Sequence, residues 1–493
     1  MIRSTVHTAT ARWAMLALSL VVAAGGCSSG GERSQAPADA IVVRGGGLFD
    51  GTGDAVVSNP GIVIENGRFS AIGAGAAEEA IAAGASVVDV GGDEVIIPGL
   101  FDLHAHYHLT IAGDGRVDET KAYPAMFLAN GVTNTFPNGE PSPDEMQALQ
   151  QRLRSGEQVG ARLHRTGPYF GAARVGWDPD FTTEDIHRQV DALVAEGVAG
   201  FKAKTITTSH LEALIERAHH HGLTVTGHLG SGARNSVNPR DAVNMGIDRI
   251  EHFMGGDAMP ATRSAYASLV EMTPDMPEFE RIMQLYIDKG ANFDATLSAY
   301  GYSGGRDPEV YDYFTDELGY LTPYARKLVE DRKAAGPRRV SAQFEQIYWV
   351  KQKLVKRFYD FGGGDLITLG TDHPSTGEFF TPFSIHRELQ VFVKAGIPEA
   401  AALKFATINA ARALRMDDDL GTIEAGKIAD LVILEGNPLE DIRNTRNVRT
   451  VFMDGVSYDA QELLASVKGK IGPAGPDDLD AFRAKQVPPP GGH

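Results

Sequence analysis

Residues 201–228 read FKAKTITTSHLEALIERAHHHGLTVTGH. An apolar-led strand ends near Lys204, and Leu211, Leu214, Ile215 and Ala218 then recur at helical spacing, giving one apolar face. Ser209 and Glu212 stand as a capping box would at the start of that helix, Gly222 stops it, and Leu223–Thr226 open the next strand. Asn238 as cap with Pro239 at the first helical position begins another helix, and Ile247–Glu251 form the strand after it. From Pro98-Gly99 onward this alternation predicts parallel βαβ construction, hence an α/β chain built on a (β/α)8 TIM barrel.

The flanks have a different grammar. Ile41–Arg44, Gly61–Ile64, Phe69–Ile72 and Val87–Val90 are short β-branched runs punctuated by glycine turns, which read as antiparallel hairpins. Asp430–Leu434 and Val448–Met453 return to that pattern near the other end, so the two flanks are expected to build one small β-sandwich domain. The expected division is a signal peptide over 1–26, a tether over 27–39, sandwich segments over 40–98 and 413–470, the barrel over 99–412, and a disordered, proline-rich tail over 471–493. Residues 257–360 are long for barrel connections and rich in Tyr and Phe. They read either as a lid over the barrel mouth or as an extra helical layer or oligomer contact, and a homo-oligomer is left open.

The amino terminus carries Arg3 and Arg12, an apolar run from Trp13 to Ala24, and Gly25-Gly26-Cys27. That run is too short to span a bilayer and has the layout of an export signal. Ala24-Gly25-Gly26-Cys27 resembles a bacterial lipobox, with Ala24 where leucine is usual, so Cys27 is the expected lipidation site of an exported cell-envelope lipoprotein. The alternative is an ordinary cleaved signal with a chance cysteine. Cys27 is the only cysteine in the 493 residues, which excludes disulfides within the chain, thiolate metal sites and a cysteine nucleophile elsewhere. With 46 Lys and Arg against 64 Asp and Glu the net charge is −18, a balance that repels phosphate backbones and argues against nucleic acid as a partner.

His104 and His106 end the apolar run that starts at Val95. Residues two apart on a strand share a face, so both imidazoles can reach one metal. Among 15 histidines chance alone gives about one such pair, and His106/His108 and His219/His221 also show it. Position at a strand's carboxyl end raises the first pair, because active sites of barrels lie there. His228 closes Thr224–Gly227, His252 closes Ile247–Glu251, and Asp372 closes Leu366–Thr371. Each alone reads as readily as a hydrogen-bonded structural residue, whereas together they form a nitrogen and oxygen donor set at one barrel mouth. His219, His220 and His221 fall in the last turn of a helix, where imidazoles suit the dipole, and are not expected to be ligands. His108 and His373 are read as supporting or loop residues.

These markers resemble the amidohydrolase superfamily. The resemblance runs from about Ile41 to Gly455 and rests on Ile97-Pro98-Gly99-Leu100-Phe101-Asp102-Leu103-His104-Ala105-His106, Ile250-Glu251-His252, Gly370-Thr371-Asp372, Ala406-Thr407-Ile408-Asn409-Ala410-Ala411 and the stretch Gly421–Val432. Within the superfamily the chain looks most like the prolidase-type and imidazolonepropionase-like branch. The resemblance implies that His104 and His106 hold a first metal with Asp372 beside it. It implies that His228 and His252 hold a second, and that a carboxylated lysine bridges the two. Gly197-Val198-Ala199-Gly200-Phe201-Lys202 fits the family pattern for that lysine, and Lys204, in the same strand phase, is the alternative. Two zinc ions are expected, with manganese, cobalt or iron open. The implied reaction is hydrolysis of a carbon–nitrogen bond of a small substrate such as a dipeptide or N-acyl amino acid. A bridging hydroxide would attack and Asp372 would act as general base and then acid. Arg234, Tyr169 and Arg174 are candidate substrate-binding residues, with surface salt bridges the competing reading for the arginines. The rivals are a mononuclear deaminase or cyclic-amide hydrolase on the same fold, and a catalytically silent surface-binding lipoprotein.

Overall fold

The computed structural model describes residues 40–111, 115–230, 236–258, 260, 263–304, 307–311, 317–336, 340–373 and 379–487. The expected signal peptide, Cys27, the tether, Arg234 and the proline-rich end lie outside these residues.

The fold is mixed α/β. Three parallel strands, Leu100–Ala105, Val132–Pro137 and Arg162–Leu163, form one sheet in chain order. Five more, Gly200–Lys204, Thr224–His228, Arg249–Glu251, Asn292–Asp294 and Ile367–Thr368, form a second, again parallel and in chain order. These are two arcs and not one continuous ring of strand ladder. Backbone bonds cross both gaps: Ala199 N donates to Arg165 O (2.7 Å) and Lys204 N to Phe170 O (2.9 Å) at one, and Leu103 N donates to Leu369 O and Asp372 N to His104 O (both 3.0 Å) at the other. Every residue of Val132–Pro137 and of Thr224–His228 is buried, the burial of a parallel sheet covered on both faces. Helices such as Pro143–Ser155, Thr183–Ala195, Thr208–His220 and Pro277–Lys289 supply the cover.

The local signals hold unevenly. Asn238 caps its helix as expected, accepting from Arg240 N, with Pro239 at the first position. The capping box at Ser209 and Glu212 does not form. Extended backbone ends at Thr207 (φ −78°, ψ 162°), so the helix begins at Thr208 and Ser209 already lies inside it. The apolar run from Val95 to Leu103 also proves to be two strands, Ser86–Pro98 and Leu100–Ala105, divided at Gly99. A Cβ on Gly99 would lie 2.2 Å from Thr133 Oγ1, so only glycine lets the chain pass from one sheet to the other here.

Both flanks do join one sheet, but the hairpin expectation needs correction. Eight strands form a single mixed sheet, in the order Val456–Asp459, Val448–Met453, Leu431–Glu435, Ser86–Pro98, Ile41–Leu48, Ile62–Glu65 and Arg68–Ile72, with Val57–Ser58 also on Ile41–Leu48. Ile41–Leu48 runs parallel to Ser86–Pro98, because the helix Ala74–Ala82 makes the crossover that a hairpin would not need. The bonding defines one continuous path, and strands from its two ends share a core, Ile64 and Phe69 lying in the same buried cluster as Leu431, Ile433 and Phe452. The expected disordered tail is likewise corrected in part. Ile471 is buried, Pro476–Ala484 is a helix with Leu479 buried, and Val487 pairs with Arg116. Among the described residues no helix is long and apolar enough to cross a membrane.

Candidate metal centre

The carboxyl ends of the parallel strands bring together most of the residues singled out above. His104, His106, Lys202, His228 and Asp372 line one cavity of about 190 Å³. His252 stands behind it, fully buried, its ring centroid 5.1 Å from that of His104 and 4.7 Å from that of His228. Three site positions leave the strands with left-handed backbone: His252 at φ 66°, Thr296 at φ 48° and Asp372 at φ 43°. For residues other than glycine this conformation is strained, and such strain gathers where surrounding structure fixes a functional geometry.

Asp372 joins the histidines. One carboxylate oxygen is 2.8 Å from His106 Nε2 and 3.3 Å from His104 Nε2, and the other is 3.6 Å from His252 Nε2. Burial would raise this carboxyl, but the charge and hydrogen bond of His104, the hydrogen bond of His106 and, beyond them, the charge of His252 hold it well below the usual range. Burial pulls His106 down to about 4, so its imidazole is neutral and fit to donate a lone pair at neutral pH. Ligand atoms of His104, His106 and Asp372 lie within 4.8 Å of one another, as do those of His104, Glu251 and His252. His252 Nε2 is buried and has no hydrogen-bond partner, although it lies 3.6–3.7 Å from Asp372 and Glu251. Nitrogens and carboxylates this close, with a buried orphan nitrogen among them, fit a shared metal better than they fit each other.

Of the two lysines, Lys202 reaches the cluster, where its Nζ meets Glu251. Burial, then the charge of Lys204, pushes the Lys202 amine well below the ordinary lysine range. Lys204 lines the same cavity but stands 5.8 Å over the ring of Tyr169. Tyr169 thus reaches the cavity as expected, whereas Arg174 does not. It donates to Gln189 (2.8 Å) and lines a separate cleft with Glu140 and Val487. His219 and His221 pair with Asp248 and Asp191 away from the cluster, in keeping with their expected exclusion. His373 packs among Tyr302, Tyr311 and Phe379. His108 lies closer than expected, lining the cavity with its ring 4.4 Å from that of His106.

Several residues that matter here escaped the sequence reading. Glu251 was visible in the motif with His252 but not weighed as a ligand. Asp294 ends the strand Asn292–Asp294, and its carboxylate is 3.1 Å from His104 Nδ1. Thr296 Oγ1 is 2.6 Å from His252 Nδ1, which fixes that ring. Asp102 accepts from His104 N, Thr371 N and Thr371 Oγ1 at 2.8–3.0 Å, tying the first metal-bearing strand to the last. Glu388, distant in sequence, accepts from Leu297 N and Ser298 N and so braces the turn after Thr296. The glycine of Gly370-Thr371-Asp372 has a steric origin: a Cβ there would lie 2.4 Å from Asp294 Oδ2 and 2.5 Å from His104 Cβ.

Comparison with known proteins agrees with this geometry. Residues 355–457 match the Amidohydrolase family. An adenine deaminase of Mesorhizobium japonicum is 23% identical over 411 residues, 81% of this chain and 54% of that protein. A 5-methylthioadenosine/S-adenosylhomocysteine deaminase of Thermoanaerobacter pseudethanolicus is 40% identical over 76 residues, 14% of this chain and 17% of its own length. The chain therefore spans about half or less of these curated relatives. A crystal structure of a Xaa-Pro dipeptidase with bound methionine superposes with a TM-score of 0.62 at 21% identity, covering 85% of this chain and all of that one. The chain is thus similar to amidohydrolases in the sequence of residues 355–457 and in its fold.

Proposed function

We propose that the protein is a metal-dependent hydrolase that cleaves a carbon–nitrogen bond in a small substrate such as a dipeptide or N-acyl amino acid. The carrying observation is the convergence of His104, His106, Lys202, His228 and Asp372 on one cavity at the carboxyl ends of parallel strands. The eight strands, with the backbone bonds across both gaps, are read as a (β/α)8 barrel, and the active site of that fold is at this end.

His104, His106 and Asp372 would hold one divalent metal, and His228 and His252 a second, with Lys202 between them once carboxylated. Bound there, a divalent metal polarises the scissile carbonyl and acidifies water. The chain's own groups do the rest. Asp372, ionised and open to the cavity, takes the proton of the attacking water and delivers it to the departing nitrogen. Asp294 and Thr296 keep His104 and His252 oriented through their far ring nitrogens. The test is a panel of dipeptides, N-acyl amino acids, lactams and lactones offered to the metal-loaded protein, with product masses read directly. Hydrolysis of an amide in the first two classes is expected, and turnover of nothing would favour the silent surface-binding lipoprotein.

One observation favours a second reading, a mononuclear deaminase or cyclic-amide hydrolase. Lys202 meets Glu251, so it could remain an ammonium paired with a carboxylate. One tightly held metal per chain would support that reading, and two would support the binuclear one.

Cys27 is proposed to carry a lipid that fastens an exported enzyme to the cell envelope. Replacing Cys27 with serine should move folded, active protein from the membrane fraction to the soluble one, since diacylation gives stable attachment where other contacts are weak. Retention of the variant in the membrane fraction would count against the anchor.

A further inference from the structure

The cavity beside the candidate metal centre holds two cations with no ion-pair partner among the described residues. Arg116 and Lys204 both line it, and among the described residues neither pairs with a carboxylate. Asp372, which lines the same cavity, is committed to His104 and His106. The protein as a whole carries a net charge of −18, so this concentration of positive charge is local.

The other side of the cavity is aromatic. Tyr266, Tyr300 and Phe344 line it with centroids 5.4–6.3 Å apart, and Tyr266 and Tyr300 stand against His228 and His252. Phe344 comes from the helix Ala342–Phe358, so the long insertion after the His252 strand does contribute a wall.

Arg116 does not stand on a barrel strand. It precedes Val117–Asp118, which pairs with His108–Leu109 in a short hairpin. Its outer edge is bonded to the carboxyl-terminal segment: Arg116 N donates to Val487 O (2.9 Å), and Val487 N donates to Arg116 O (2.8 Å). The contact is close, for a Cβ on Gly115 would lie 2.5 Å from Gln486 Cβ.

We infer that Arg116 and Lys204 form a subsite for the free carboxylate of the substrate, and that the segment from Pro476 to Val487 holds Arg116 over the cavity. Two half-buried cations without an ion-pair partner are satisfied by an anionic ligand, and an arginine offers a carboxylate paired, directional bonds. The aromatic wall takes the apolar remainder, so the favoured class is an amino acid with a free carboxylate whose nitrogen bears an apolar acyl or aminoacyl group. Calling that ligand a substrate rests on the hydrolase reading above.

The test reads binding and does not depend on turnover. Zinc-loaded full-length protein is titrated calorimetrically with N-benzenesulfonyl-L-leucine, a sulfonamide that carries a free carboxylate and has no hydrolysable amide, and with its primary carboxamide. The acid should bind at least ~10-fold more tightly, the usual size of a charge-assisted contact. Arg116→Met and Lys204→Met should each remove most of that preference and leave carboxamide binding unchanged. Val487→Pro, which deletes one of the two bonds to Arg116, should remove part of it. Equal binding of acid and carboxamide, no binding of either, or equal loss of both in the variants would overturn the subsite. Acid-selective binding with no hydrolysis across the substrate panel would sink the hydrolase reading alone, and hydrolysis without acid preference would sink the subsite alone.

Discussion

Asp372→Asn should keep the fold and at least one metal while lowering kcat by about 10² to 10⁴, the span that positioned proton transfer contributes. Asparagine fits the same space between His104 and His106 and still offers an oxygen to either ring or to a metal. It cannot accept the proton of an attacking water. The Asp372 carboxyl is held well below the ordinary range, chiefly by the two histidines working against burial, so it is ionised throughout the neutral region. A base must be ionised to act, so its contribution is complete above its own pKa and lost as pH falls through it. The resulting acid limb should lie below the usual carboxylate range and be absent from the residual activity of Asp372→Asn. His106 protonates near 4, so metal content must be measured along the same profile to separate loss of base from loss of ligand. Turnover within a few-fold of wild type, with the metals verified, would remove Asp372 from the chemistry.

The alternation of strand and helix was legible because its signals are local. Leu211, Leu214, Ile215 and Ala218 face one way on any helix, and Gly222, at φ 73°, ends it in the structure as in the sequence. What was not legible depends on distant partners. The Val95–Leu103 run reads as one strand because both halves are apolar. Only Thr133, packed against Gly99, reveals that the chain leaves one sheet there and enters another. Ile41–Leu48 and Ser86–Pro98 look like hairpin strands by composition, and their parallel pairing follows from an alanine-rich helix, Ala74–Ala82, too short and weakly patterned to stand out.

The same division applies to the site. His104, His106, His228, His252 and Asp372 were visible because strand ends are readable, and the strand-end argument applied consistently would have reached Asp294 as well. Glu388 carries no such mark. It sits on the helix Ser384–Lys394 and acts on the backbone of residues about 90 positions away, a relation that one sequence does not encode. Arg116 is harder still, because its place depends on a short hairpin and on a carboxyl-terminal segment whose composition suggests disorder. The two lysines were indistinguishable by strand phase, since Lys202 and Lys204 share a face. Depth separates them: Lys202 pairs with Thr226 in register and Lys204 with His228, one step nearer the mouth.

Lys202→Ala should remove one metal per chain and cost about 10³-fold or more in activity, and added short carboxylic acids should restore part of both. Lys202 is 1% exposed and its amine meets Glu251, whose other oxygen accepts from Thr226 Oγ1 (2.7 Å). Burial pushes that amine well below the ordinary lysine range, which favours its uncharged form, and an uncharged amine can add carbon dioxide, forming a nitrogen–carbon bond and releasing a proton to leave a carbamate. The carbamate supplies one anionic oxygen in each direction, which neither a lysine ammonium nor alanine can do. It would also stand beside Glu251, Asp294 and Asp372, an accumulation of negative charge that only bound cations can balance. Metal and carbamate should therefore appear together, and metal-free protein should hold Lys202 as the partner of Glu251. Deleting the side chain then has two separable effects. Without metal, a buried carboxylate loses its cation, and stability to denaturant should fall by about 3–5 kcal/mol. With metal, stability should largely return while activity does not, until acetate or propionate fills the space and provides the missing oxygens. Lys204→Ala, by contrast, should weaken binding of carboxylate ligands and leave metal content unchanged. Near wild-type activity in Lys202→Ala with metal loss in Lys204→Ala would assign the bridge to Lys204. Unrescued loss in Lys202→Ala, with one metal in wild type and variant alike, would mean that Lys202 serves only to neutralise Glu251.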